Sequence, residues 1–179
     1  VTCGRKYSFR GQRSNLFIVV SAPSSAGKEN GRKALKAALS RPCAIDMLGS
    51  GSVASDTAIL RTLEEKKRVL FPFDEVGHMI ANNKAAKGAA HLANIAPTLM
   101  ELYSSAGGVW PGRSYADKEN NIAPIEDPHL CIYGTTTPIM VKQAFTSEDA
   151  QTGFTGRVLF FQSFDEPAPR IKPNGARFP

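Results

Sequence analysis

Leu16-Phe17-Ile18-Val19-Val20, followed by Ser21-Ala22-Pro23-Ser24-Ser25-Ala26-Gly27-Lys28-Glu29-Asn30, is the stretch on which the reading of this chain turns. The first five residues are apolar and rich in β-branching, the composition of a buried strand. Beyond Asn30, Gly31 to Leu39 is built from helix formers, with Leu35, Ala38 and Leu39 on one side. A strand, a turn of small residues ending in Gly-Lys and a helix make the context that a phosphate-binding loop requires. A helix N-terminus exposes unpaired N–H groups and a partial positive charge, so a turn ending there can wrap its amides around a polyphosphate.

On this reading Ala22, Pro23, Ser24, Ser25, Ala26, Gly27, Lys28, Glu29 and Asn30 surround the phosphates. Gly27 lets the backbone pass close, and Lys28 brings a mobile positive charge to the β and γ phosphates. Against the pattern G-x-x-x-x-G-K-[ST], Ala22 stands for the first glycine and Glu29 for the hydroxyl residue that normally reaches Mg²⁺. A carboxylate at that place binds the metal itself, points away, or leaves a water there. Turns of small residues with a Gly-Lys also arise with no phosphate to hold.

The next informative stretch is Arg68-Val69-Leu70-Phe71-Pro72-Phe73-Asp74-Glu75. An apolar strand ending in two acids has the form of a Walker B segment, in which Asp74 holds Mg²⁺ and Glu75 orients or deprotonates the attacking water. An ordinary acidic loop has the same composition. Pro72 removes a ladder donor, so the strand is expected to bulge or to end early. Further on, His129 to Gly134 reads as a strand tipped by Thr135-Thr136-Thr137-Pro138, whose hydroxyls can hold the water that attacks a γ phosphate. Arg157 stands just before Val158-Leu159-Phe160-Phe161, expected to be a buried last strand, and is placed like a phosphate or interface arginine; a surface ion pair is the alternative.

Between these, Cys43 to Leu48 reads as a further strand and Thr57 to Lys67 as a helix capped by Ser55 or Asp56. Ala81 to Ala90, with Lys84 and Lys87, reads as a surface loop. His91 to Ser105 reads as a helix kinked or restarted at Pro97, Ile139 to Phe145 as a short helix, and Thr146 to Asp149 as a turn. Gly107 to Asn121 is expected to be a loop. Its Trp110, Arg113, Tyr115 and Lys118 either stack on and track single-stranded nucleic acid or pack the loop onto its own domain or a neighbouring subunit.

The chain has 179 residues, a net charge of +6, 42% hydrophobic and 21% charged residues, which suits one soluble α/β domain. No apolar run is long enough for a membrane span and the N-terminus lacks a signal sequence, so a cytoplasmic protein without a membrane partner is expected. Cys43 and Cys131 read as small core residues of a reducing compartment. His78 and His91 lack partners at metal-ligand spacing. Residues 1–13 read as an arm or linker, 14–164 as the domain and 165–179 as a tail or linker, the whole as a piece of a longer protein.

The order of phosphate loop, Asp-Glu strand, polar-tipped strand and arginine resembles the RecA-like P-loop ATPases. In these the polar-tipped strand lies between the loop strand and the Asp-Glu strand. More closely, SAPSSAGKEN, VLFPFDEVGHMI, CIYGTTTPIMVKQAF and GFTGRVLFF resemble the helicase-type ATPase domain of phage, plasmid and mobile-element replication proteins, which frequently carry an upstream primase domain. The resemblance implies a three-layer α/β RecA-like fold with a mostly parallel sheet, ATP and Mg²⁺ as cofactors, single-stranded DNA as partner and a homo-oligomeric, hexameric ring. Its implied site comprises Lys28 and the loop amides on the phosphates, Asp74 and Glu29 at the metal, Glu75 at the water, a sensor at Thr136 or a neighbour, and Arg157 reaching the neighbouring subunit's nucleotide. The implied activity is that of an ATP-hydrolysing motor of a replicative helicase or primase-helicase. A non-hydrolysing, nucleotide-gated binding or scaffold module is the alternative.

Overall fold

The structure is a computed structural model that describes residues 13–24, 26–85 and 94–163. Ser25 of the expected loop, Cys3, Lys87, His91, nearly all of the expected arm and the whole expected tail lie outside the described residues.

Strand β1 (Phe17–Ser21) is the apolar run expected before the loop, and helix α1 (Lys28–Leu39) follows the loop directly. Ser55 caps α2 (Asp56–Lys66), its hydroxyl accepting the Ala58 N–H at 3.2 Å, while Ile59, Leu60 and Leu63 turn inward. Strand β2 (Arg68–Phe71) stops before Pro72, which has no N–H to continue the ladder. Helix α3 (Val76–Ala85) then runs into the segment expected to be a loop, whose Ala81, Lys84 and Ala85 are good helix formers. Helix α4 (Ile95–Ser105) holds Pro97 in its first turn, where the missing N–H is harmless. Strands β3 (Val109–Trp110) and β4 (Ile125–Glu126) form a small antiparallel ribbon inside the expected loop and just after it. Strand β5 (His129–Thr136), short helices α5 (Pro138–Ala144) and α6 (Ser147–Gln151), and strand β6 (Val158–Gln162) complete the described chain. Helix α6 replaces the expected turn because Thr146 and Asp149 form a reciprocal capping box.

The central sheet is all parallel in the order β2-β5-β1-β6. Side-chain alternation sends Val69, Phe71, Leu130, Ile132, Phe17 and Val19 to one face, into a core shared with α2, α3 and α4. Leu70 and Cys131 point the other way, to meet Leu39 and Leu35 of α1 together with Met47 and Tyr133. Helices thus flank both faces of a parallel sheet, the layering of an α/β domain.

Two expectations need correction. Cys43 to Leu48 does not form a strand. Pro42 and Asp46 disfavour one, and the segment makes a 3-10 turn (Ile45–Met47) and a single parallel bridge from Leu48 to Leu70, leaving Cys43 exposed. Strand β6 is an edge and not a buried strand, with Leu159, Phe160 and Phe161 all exposed.

Candidate functional site

Parallel strands bring the C-terminal ends of β1, β2 and β5 to one edge of the sheet, and the residues after them meet there. Register pairs Ser21 with Thr136, and the Ala22 N–H donates to the Thr136 carbonyl at 3.3 Å. The loop that follows closes with an Ala26 N–H to Pro23 carbonyl bond of 3.2 Å. It enters α1 through Gly27 at φ 77°, a left-handed conformation that glycine adopts without steric cost. Among the described residues no side chain caps α1. Its first amides and the positive end of its dipole are therefore offered to an anion.

Lys28, the first residue of α1, turns into the site with its side chain 12% exposed, and its Nζ donates to Glu75 Oε1 at 3.0 Å. Glu75 itself sits at φ 47°, a conformation unusual for a residue with a side chain. Such strain gathers at functional turns. Asp74 Oδ1 accepts from the Thr135 hydroxyl at 3.1 Å and from the Glu75 N–H at 3.1 Å, and Asp74 Oδ2 pairs with Arg32 at 2.8 Å. Glycine at position 77 lets α3 approach the tip of β5, since a Cβ there would collide with Thr136 Oγ1 and stand 2.8 Å from Met140 Cβ.

The sequence reading placed the polar sensor at Thr136 or a neighbour. Parity along β5 aims Thr135, not Thr136, at Asp74, and leaves the buried Thr136 hydroxyl beside Gly77 with no hydrogen-bond partner among the described residues. Ser21 Oγ, on the same face of the sheet as Thr136, and Glu75 Oε2 are likewise buried without partners among the described residues. Arg32 was missed. Its spacing of four from Lys28 within one helix was the available signal, because residues so spaced share a helix face.

The remaining residues lie elsewhere. Glu29 pairs with Lys33 at 3.3 Å along the exposed side of α1. Arg157, just before β6, sits level with the beginning of β1, roughly 16 Å along the strands from the end where the loop into α1 begins, at ~3.3 Å per residue. There it lies over the Tyr103 ring, donates to the Gly153 carbonyl at 2.8 Å and to Ser104 Oγ at 3.3 Å, and lines a cleft of about 510 Å³ with Arg13 and Asn15. Trp110 is 2% exposed, with its indole N–H on Glu101 at 3.3 Å. Arg113 is held by Asp56, Thr98 and Glu101. Trp110 and Arg113 thus pack onto their own domain, while Lys118 is exposed.

The uncapped start of α1 together with Lys28 suits a polyphosphate. For a divalent ion the nearest donor is Asp74, 45% exposed, and no group of three or more His, Cys, Asp or Glu side chains at ligand geometry occurs among the described residues. One carboxylate suits an ion that keeps most of its water shell and takes further oxygens from phosphate, as Mg²⁺ does. No helix among the described residues is long and apolar enough to cross a membrane. No family model, curated protein or solved structure matches this chain.

Proposed function

We propose that this domain binds a nucleoside triphosphate on the loop from Ala22 to Asn30 and hydrolyses it, as the RecA-like motor of a helicase-type replication protein. The observation that carries the reading is the strand order. With β5 between β1 and β2, Lys28 meets Glu75 at 3.0 Å, Arg32 of the same helix meets Asp74 at 2.8 Å, and a threonine of β5 reaches Asp74. Ligands of parallel α/β sheets bind at this edge.

In this reading the amides of α1 and Lys28 hold the phosphates. Glu75, once Lys28 has turned to phosphate, has a carboxylate free to take a proton from water. Thr135 steadies Asp74, which would hold the hydrated Mg²⁺; that ion supplies charge neutralisation at the β and γ phosphates. Arg157 lies too far from its own chain's loop to serve it, so any role on a nucleotide is in a neighbouring subunit's site, and a homo-oligomeric ring acting on single-stranded DNA is the assembly in which that role operates. A scaffold module that binds nucleotide without turnover is favoured by one observation, that both acids are already paired with cations.

Steady-state ATP hydrolysis, measured with single-stranded DNA present, separates the two. The motor reading expects Glu75→Gln to lower turnover by about 10²-fold or more while nucleotide affinity stays within about threefold. Equal turnover in parent and variant would contradict the role of Glu75, and no turnover in the parent assembly would favour the scaffold.

A further inference from the structure

Arg32 has no part in the loop pattern, yet it is the cation closest to the carboxylate that a divalent ion would need. Its side chain is 14% exposed, and Nη2 stands 2.8 Å from Asp74 Oδ2. Its Nε is buried and without an acceptor among the described residues. The other oxygen of Asp74 already accepts two bonds, from Thr135 Oγ1 and from the Glu75 N–H. Asp74 is therefore locked in place, with Oδ2 as the oxygen at which partners can change. Lys28 and Arg32, four residues apart on α1, engage Glu75 and Asp74 respectively, so four charges that sum to zero span the space between α1 and the end of β2.

We propose that Arg32 is a positioning residue that competes with a divalent cation for Asp74 and so sets how much metal the site needs to take up nucleotide; this rests on the nucleotide reading above. A guanidinium and a hydrated divalent ion are alternative partners of one carboxylate oxygen, because both need its negative charge and its outward lone pairs. In the phosphate-free site the guanidinium holds that place. Metal-nucleotide entry displaces it, and the released N–H groups, Nε among them, turn to a phosphate oxygen. Lys28 undergoes the matching exchange from Glu75 to phosphate. The free site is thereby kept neutral and ordered, and is not left as a bare acidic pair open to any divalent ion.

Calorimetric titration of a non-hydrolysable ATP analogue at a series of Mg²⁺ concentrations tests this, with parent, Arg32→Gln, Arg32→Lys and Lys28→Ala proteins whose folding is verified by circular dichroism. Arg32→Gln is expected to lower the Mg²⁺ concentration for half-maximal binding by about fivefold, the size of a half-exposed ion pair. Arg32→Lys, which keeps the charge but loses the planar fork, is expected to shift it less in the same direction. Should Arg32→Gln not fold, the lysine variant carries the test alone. An unchanged Mg²⁺ dependence in a variant that still binds the analogue overturns the role of Arg32, and leaves the phosphate loop standing if Lys28→Ala has lost binding. A parent that binds no analogue at any Mg²⁺ concentration overturns the nucleotide reading itself.

Discussion

At the residue scale, the site depends on which side chains a half-turn of helix or one step of strand delivers. Glu75 reaches Lys28 because its backbone adopts φ 47° at the turn after β2, and Thr135 reaches Asp74 because strand parity points it there. Gly77 is the residue whose absence of a side chain matters most. Any Cβ would press on Thr136 and Met140. Gly77→Ala is expected to destabilise the fold by about 1–3 kcal/mol, the usual cost of overpacking, read as a lower denaturant midpoint. An unchanged midpoint would show that α3 can move away from β5 freely. Much of this was legible beforehand: a β-branched apolar run, Gly-Lys and paired acids each have local signatures. The choice between Thr135 and Thr136 was not, because it depends on the register of β5 against β1. Arg32 was legible only as a spacing, whose meaning needed the partner strand.

At the element scale, the strand-loop-helix unit was readable because all its parts are contiguous. Strand β6 was misread as buried for the opposite reason. Whether an apolar strand is central or at an edge depends on sheet order, a non-local property. Residues Gly107 to Asn121 show the same limit. Their aromatic and basic residues suit nucleic acid or packing equally, and tertiary structure decides. Arg113 anchors the β3-β4 ribbon to α2 and α4 through Asp56, Thr98 and Glu101, with the Asp56 side chain only 4% exposed. Arg113→Ala strands a buried carboxylate and is expected to cost about 3 kcal/mol. Lys118→Ala, at an exposed position, is expected to stay within about 0.5 kcal/mol. Thermal or denaturant unfolding compares the two, and equal midpoints would refute the anchoring role.

At the scale of the whole molecule, the parallel sheet separates two ends. The C-terminal end carries the loop that leads into α1 and the acids, while the N-terminal end carries Arg13, Arg68, His129 and Arg157. His129, 2% exposed, has its pKa pushed below the ordinary 6.5 chiefly by burial; Arg13 and Arg68 lower it further, against Asp127 and a bond with Ser14. The unfolded chain takes up a proton near pH 6.5, before the folded one does. Stability contributed by the neutral imidazole is therefore complete above that pH and is lost as pH falls below it, with a slope of up to about 1.4 kcal/mol per pH unit. Denaturant unfolding between about pH 7.5 and 5.5 is expected to show this loss, and His129→Gln to flatten it. The same pH dependence in parent and variant would assign it to other groups.

On the proposed reading the loop after β1 holds a polyphosphate. Calorimetric titration of a non-hydrolysable ATP analogue with saturating Mg²⁺, comparing the parent with Lys28→Ala, tests it most directly. Binding in the parent and a loss of about 10²-fold or more in the variant is the expected result, the size of losing a charge-assisted phosphate contact. Equal affinity in the two proteins, or no binding by the folded parent, would mean that Ala22 to Asn30 is a turn and not a phosphate loop.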